Sequence, residues 1–189
     1  MSTAVMTERI LEESPRRKAR IAGALYLLAI LMGVASILVH GRLGFVAYLT
    51  ATSCNVAVAL LFYGIFKPAN RSLSLLAAFF GLVGSITGAF KWHPQGVDVG
   101  MIFFGSYCLL IGYLIFRSTF LPRILGALMA FAGLTWLTFL SQPLTKYLSP
   151  YNLAPGIVGQ VSLTLWLLVM GVNVQRWKEQ AKSDARRTL

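Results

Sequence analysis

Acidic residues are scarce in this chain: six Asp and Glu stand against 17 Lys and Arg in 189 residues. Charged residues of all kinds make up 12%, about half the share found in an ordinary soluble domain. That excludes a soluble globular enzyme. Histidine and cysteine are equally sparse, two of each. Haem, zinc and di-metal centres need convergent His, Cys or carboxylate ligands. No run here carries two such residues spaced to share a helical face, so no metal and no cofactor is expected. Cys54 and Cys108 fall inside apolar runs and read as buried, inert thiols rather than a disulfide. No glycine-rich phosphate loop, serine nucleophile elbow or kinase element is present.

What the chain has is hydrophobicity, 57% of its residues, with a mean hydropathy of +0.70. Charges, prolines and loop signals cut it into six apolar runs, at 21–39, 43–66, 73–90, 99–116, 121–140 and 154–174. Each is near the 20 or so residues that a bilayer requires of a helix. In lipid the backbone must pair within each segment, and these runs lack the alternation of barrel strands. The expected fold is all-α: a polytopic membrane protein built as a six-transmembrane-helix bundle. Residues 1–20 precede it and a basic tail, 175–189, follows. The first run has no small-x-small cleavage site and is expected to be retained.

The net charge of +11 would point to nucleic acid in a soluble chain. Here the bases flank the apolar runs, so no nucleic-acid partner is expected. Fourteen of the 17 fall on one side of a six-span topology: Arg9, Arg16, Arg17, Lys18, Arg20, Lys67, Arg71, Arg117, Arg123, Arg176, Lys178, Lys182, Arg186 and Arg187. Only Arg42, Lys91 and Lys146 fall on the other. The positive-inside rule then puts both termini in the cytoplasm. Beyond the bilayer itself, anionic lipid headgroups are the partners expected at the basic tails, each base near such a leaflet being worth about 1 kcal/mol. Trp92 and Trp177 are placed in the two headgroup layers, and Trp136 and Trp166 inside spans five and six. The connection from Ser141 to Pro155, with Pro143, Pro150 and Pro155, reads as too proline-broken for a helix.

No acid lies within a span; all six, Glu8, Glu12, Glu13, Asp98, Glu179 and Asp184, lie outside. A buried carboxylate relay or sodium site is therefore not expected. The buried polarity is neutral. Tyr48, Thr52 and Asn55 follow one face of the second span, Gln160 and Thr164 one face of the sixth, and Tyr107 lies in the fourth. Thr52, Asn55, Tyr107, Gln160 and Thr164 are the candidate walls of a ligand cavity, with interhelical bonding as the competing role for the amides. Lys91, His93 and Asp98 form a weaker polar cluster at the outer mouth. Glycines at 81, 84, 105, 112, 126 and 133 read as sites of close helix approach within the chain. Arg20-Ile21-Ala22-Gly23 and Arg123-Ile124-Leu125-Gly126 open two spans alike, a similarity read as coincidence rather than as a repeat.

Several stretches resemble a family of bacterial six-span membrane proteins known as domain of unknown function 4386. They are Arg17-Lys18-Ala19-Arg20-Ile21-Ala22-Gly23-Ala24-Leu25-Tyr26-Leu27, Lys67-Pro68-Ala69-Asn70-Arg71, Phe103-Phe104-Gly105 with Gly112-Tyr113-Leu114, Arg117-Ser118, Leu121-Pro122-Arg123-Ile124-Leu125-Gly126, and Ser162-Leu163-Thr164-Leu165-Trp166-Leu167-Leu168-Val169 with Gly171-Val172. The resemblance implies a bacterial cytoplasmic-membrane protein of six spans and brings no established activity. The family pattern often has Glu near Gln160 and His near Tyr107, so any proton-carrying role there reduces to hydrogen bonding in this chain. The leading expectation is a non-enzymatic binder or carrier of a small, weakly polar or lipid-like molecule. The alternatives are a structural or regulatory membrane subunit without a cavity and, more remotely, a lipid-modifying enzyme. Oligomeric state is not legible.

Overall fold

A computed structural model describes residues 14–90, 97–148, 151 and 153–187, with the side chains of 142, 153 and 185–187 left aside. Among the described residues every regular element is helical. Ser14 accepts a hydrogen bond from the Arg17 amide (3.3 Å) and Pro15 occupies the first turn, so α1 begins at Pro15 and runs to Leu38. The basic cluster Arg16–Arg20 is thus already helical. After a turn at Gly41, whose φ of 79° suits glycine, α2 covers Arg42–Phe66. Asn70 caps α3, Arg71–Ala89, by accepting from the Leu73 amide (3.0 Å). Asp98 caps α4, Val99–Arg117, by accepting from Met101 (3.1 Å). Helix α5 covers Arg123–Leu137 and tightens into a 3-10 turn, Thr138–Leu140.

The proline-rich connection is not purely loop. Gln142–Leu148 forms a short helix, α6, because Pro143 falls in its first turn, where the missing N–H costs nothing. The Thr145 hydroxyl ties it back to the Thr138 carbonyl (2.8 Å). Pro155 likewise sits in the first turn of α7, Leu153–Val169. The last span is expected to reach residue 174 but stops at Val169. The Met170 and Gly171 amides both close on the Trp166 carbonyl (2.9 and 3.0 Å), and Gly171 turns the chain at φ 68°. A 102° bend follows. The tail becomes an amphipathic helix, α8, Val174–Arg187.

Among the described residues, five helices, α1 to α5 with its 3-10 extension, are long and apolar enough to cross a membrane, and the bent α7–α8 pair makes a sixth candidate. Each packs on its neighbour in sequence, and α7 closes the ring by lying between α5 and α1. Both described chain ends lie at one end of the bundle, called here the basic end. Large apolar side chains such as Leu31, Leu60, Phe79, Ile124, Phe131 and Leu165 point outward. In water such a surface would aggregate; against acyl chains it is the matched solvent.

Glycines set the spacing of α4 and α5. A Cβ on Gly112 would lie 2.7 Å from the Ala130 nitrogen and 2.8 Å from the Gly126 carbonyl oxygen, and one on Gly133 2.8 Å from the Gly105 carbonyl oxygen. Gly105 faces Gly133 and Gly112 faces Gly126, two turns apart on both antiparallel helices. This is small-residue backbone contact within the chain. The glycines that open spans one and five part company: Gly23 packs on Leu167 and Leu168 of α7, whereas Gly126 packs on α4. The two openings are alike in letters and different in use.

Candidate functional site

The bundle interior holds a band of neutral polar side chains, running from Thr164 of α7 to Trp136 near the far end of α5. Tyr26 of α1 follows Ala19 and Ala22 and precedes Ala29 on a fully buried stripe. Tyr107 of α4 lies against Gly81 and Ala59, where only small residues leave room for its ring. The Tyr26 hydroxyl is within electrostatic reach of Tyr107 and Cys108. On α7, Gly156, Gln160 and Thr164 share one buried line at four-residue spacing. Gln160 is 8% exposed and Thr164 not at all. A Cβ on Gly156 would meet Cε2, Cζ2 and Nε1 of Trp136 at 2.9 to 3.0 Å, so the α5 indole rests directly on the α7 backbone.

Five polar atoms of this layer are closed off from solvent and have no hydrogen-bond partner: the Tyr26 and Tyr107 hydroxyls, Trp136 Nε1, Gln160 Nε2 and the Thr164 hydroxyl. They come from four helices. Each costs about 1–3 kcal/mol while unsatisfied, and native interiors hold few of them. Aromatic rings surround the layer. Phe104 stacks on Tyr107 (6.1 Å, 30°) and meets Trp136 edge-on (5.8 Å, 68°), while Tyr26 meets Phe62 edge-on (6.1 Å, 89°).

Of the side chains singled out in the sequence, the structure brings Tyr107, Gln160 and Thr164 into this layer and leaves two aside. The Thr52 hydroxyl bonds its own helix at the Tyr48 carbonyl (3.0 Å). Asn55 is only half-buried. Sequence reasoning passed over Tyr26 and took Trp136 only as packing. The signal for Tyr26 was its place on a stripe of alanines, the mark of a helix face pressed against another. Asp98 of the outer-mouth cluster is the cap of α4, while Lys91 and His93, with Trp92, lie outside the described residues. Cys54 and Cys108 are buried and free. Among the described residues no three His, Cys, Asp or Glu side chains gather as a metal site would require.

The basic end is organised by α8. Trp177, expected in the headgroup layer, is instead 5% exposed, and its indole N–H donates to the Ile65 carbonyl (2.8 Å). That bond fills an acceptor orphaned by the end of α2. Gln180 accepts from the Thr119 amide (3.0 Å) and donates to the Arg117 carbonyl (3.2 Å). Two surface grooves flank this helix. The larger, about 650 Å³, is lined by Pro68, Arg117, Thr119, Arg176 and Gln180 among others; the smaller, about 420 Å³, by Arg16, Phe120, Trp166 and Gly171 among others.

No solved structure matches the chain. An uncharacterized protein from Archaeoglobus fulgidus is 30% identical over 128 residues, which are 62% of this chain and 76% of that protein. The model of a domain of unknown function, DUF4386, matches residues 40–93 and 88–171, a stretch that holds α2 to α7 and with them four of the five unpartnered groups. A multi-pass, all-helical membrane protein with this match belongs to the DUF4386 family.

Proposed function

We propose that the protein is a non-enzymatic binder or carrier of a small, weakly polar or lipid-like molecule, held at mid-depth in a six-span bundle. Its membrane is the cytoplasmic membrane of a bacterial cell, and its basic end, with both termini, faces the cytoplasm. The positive-inside asymmetry supports that orientation. Arg117 and Arg176 at one groove and Arg16 at the other are the positions offered to anionic headgroups.

One observation carries the binding role: five polar atoms from four helices are buried in the bundle interior with no hydrogen-bond partner. Groups kept as interhelical glue would be paired. Groups kept for a ligand are left available, at a stability cost the bundle carries. Tyrosines, an indole, an amide and a threonine supply no matched base and nucleophile, which favours binding over catalysis.

Native mass spectrometry of the protein released directly from its membrane tests this reading. A reproducible non-protein adduct, lost in a folded Gln160→Leu variant, is expected. A bare protomer, or a stoichiometric complex with another membrane protein and no adduct, would overturn it in favour of a structural or regulatory subunit.

A further inference from the structure

The two grooves at the basic end are chemically unlike. The larger sets Glu179 and Asp184 against Arg117 and Arg176, and apart from Pro68 and Ala69 its lining is polar. Arg176 is also engaged with the Thr119 carbonyl (3.4 Å). Its charge is balanced from within. The smaller carries one base, Arg16, and no acid among its lining residues, over a floor of Phe120, Trp166, Met170 and Val172. Phe120 and Val172 are buried, Trp166 is half-buried and Met170 is 56% exposed. That floor runs on into Val169 and Leu165, which point outward along α7. The smaller groove is therefore apolar towards the acyl chains and cationic at its rim.

The rim is held in place. Gly171, at φ 68°, turns the chain beneath Arg16, and a Cβ there would lie 3.0 Å from Arg16 Cγ. The arginine stem thus lies across the end of α7. One turn further along α1, Arg20 donates to the Val169 carbonyl (3.4 Å), one of those that the end of α7 leaves open. Arg20 fastens the seam between the two helices, while the Arg16 guanidinium has no hydrogen-bond or ion-pair partner among the described residues. We infer that this groove seats one anionic phospholipid of the leaflet at the basic end, its phosphate on the Arg16 guanidinium and an acyl chain along Trp166 and Met170. This rests on the membrane placement proposed above, and it names the place and the kind of headgroup contact. A guanidinium matches a phosphate with paired N–H donors, and its stem covers the apolar surface beneath. A zwitterionic lipid would bring a cation with no acid in the groove to receive it, and a free phosphate would leave the apolar floor uncovered.

The test titrates the full-length protein in detergent with dioleoyl-phosphatidylglycerol, or with dioleoyl-phosphatidylcholine for comparison, and reads bound lipid by native mass spectrometry. The protein is expected to take one phosphatidylglycerol about tenfold more tightly than phosphatidylcholine. Arg16→Gln should abolish that preference, and Met170→Gln should weaken binding about threefold. Both side chains are exposed, so both variants keep the fold. Arg117→Gln, in the larger groove, should change the affinity by less than about twofold. Unchanged affinity in Arg16→Gln, or an equal loss in Arg117→Gln, would overturn the groove assignment and leave a diffuse attraction of headgroups to the basic end standing. Displacement of the lipid by an equal concentration of glycerol 3-phosphate, or no effect of Met170→Gln, would overturn the lipid in favour of a free phosphate ester. No preference between the two lipids would overturn both this site and the headgroup contact proposed above. The adduct lost in Gln160→Leu reports on the bundle interior and stands or falls separately.

Discussion

The two halves of the bundle are closed by different means. Towards the basic end, large side chains fill the ring: Phe62, Ile65 and Phe66 of α2, Ile111, Leu114 and Ile115 of α4, Met129 of α5 and Leu163 and Leu167 of α7 are all fully buried. Hydrogen bonds between helices gather there too, from Ser74 to the Tyr63 carbonyl (3.1 Å), from Arg20 to the Val169 carbonyl (3.4 Å), and from Trp177 and Gln180 of α8. Towards the far end, beyond the level of Tyr107 and Gln160, the buried residues described are mostly glycines and alanines, such as Ala51, Gly84, Gly100, Ala132 and Gly156. Hydroxyls in that half turn back onto their own helices, as Ser85 does to Gly81 and Ser106 to Ile102. Tyr48 and Asn55 continue the buried stripe of α2, yet each is only half-buried.

The difference shows how a helical bundle in lipid divides permanence from access. Apolar burial gives no preference for protein over acyl chains, so packing and interhelical hydrogen bonds do the fastening. The basic half has both. The far half relies on close backbone approach and ring contacts such as Phe104 on Trp136, and is expected to separate at lower cost. The unpartnered polar groups lie where one regime gives way to the other.

The largest expected effect comes from prising apart the helices themselves. Gly112→Leu drives a side chain into the backbone of α5, and a loss of about 3 kcal/mol or more is expected, seen as a failure to recover monodisperse protein from detergent. A Trp177→Phe variant keeps the ring and leaves the Ile65 carbonyl without its donor, for an expected loss of about 1–3 kcal/mol. Thermal unfolding would show it, with limited proteolysis cutting first in α8. Gln160→Leu moves the other way. Removing an unpaired amide should raise Tm, by the equivalent of about 1–3 kcal/mol in ligand-free protein, and a fall in Tm would mean that the amide is glue after all. Smallest is a pair on one helix. Gly23→Ala meets the Leu168 nitrogen at 3.0 Å and should lower Tm, whereas nothing lies within 4 Å of a Cβ on Gly33. Gly33→Ala should be neutral or stabilising by up to about 1 kcal/mol. Equal effects at the two positions would erase the contrast between the halves.

The helical class and the positions of the apolar runs were legible because charge and hydropathy are local properties of the chain. The short helix α6 was not, since prolines were weighed as breakers although first-turn positions accept them. Trp177 was misplaced because its partner carbonyl lies 112 residues away, and a tryptophan after a span looks the same whether lipid or protein receives it. Gln160, Thr164 and Tyr107 were found from polarity inside apolar runs. Asn55 and Thr52 met the same criterion, but α2 presents one half-buried and lets the other satisfy itself. Which polar residues converge depends on the rotation of each helix in the ring, and that is fixed by contacts such as Gly81 on Tyr107 and Gly156 on Trp136 rather than by any one segment.

The bonds by which α8 grips the bundle end largely on main-chain atoms: the carbonyls of Ile65, Arg117 and Thr119 and the amide of Thr119. Such partners are present whatever residue occupies those positions. The receiving surface is therefore generic, and the specificity resides in Trp177, Gln180 and Arg176.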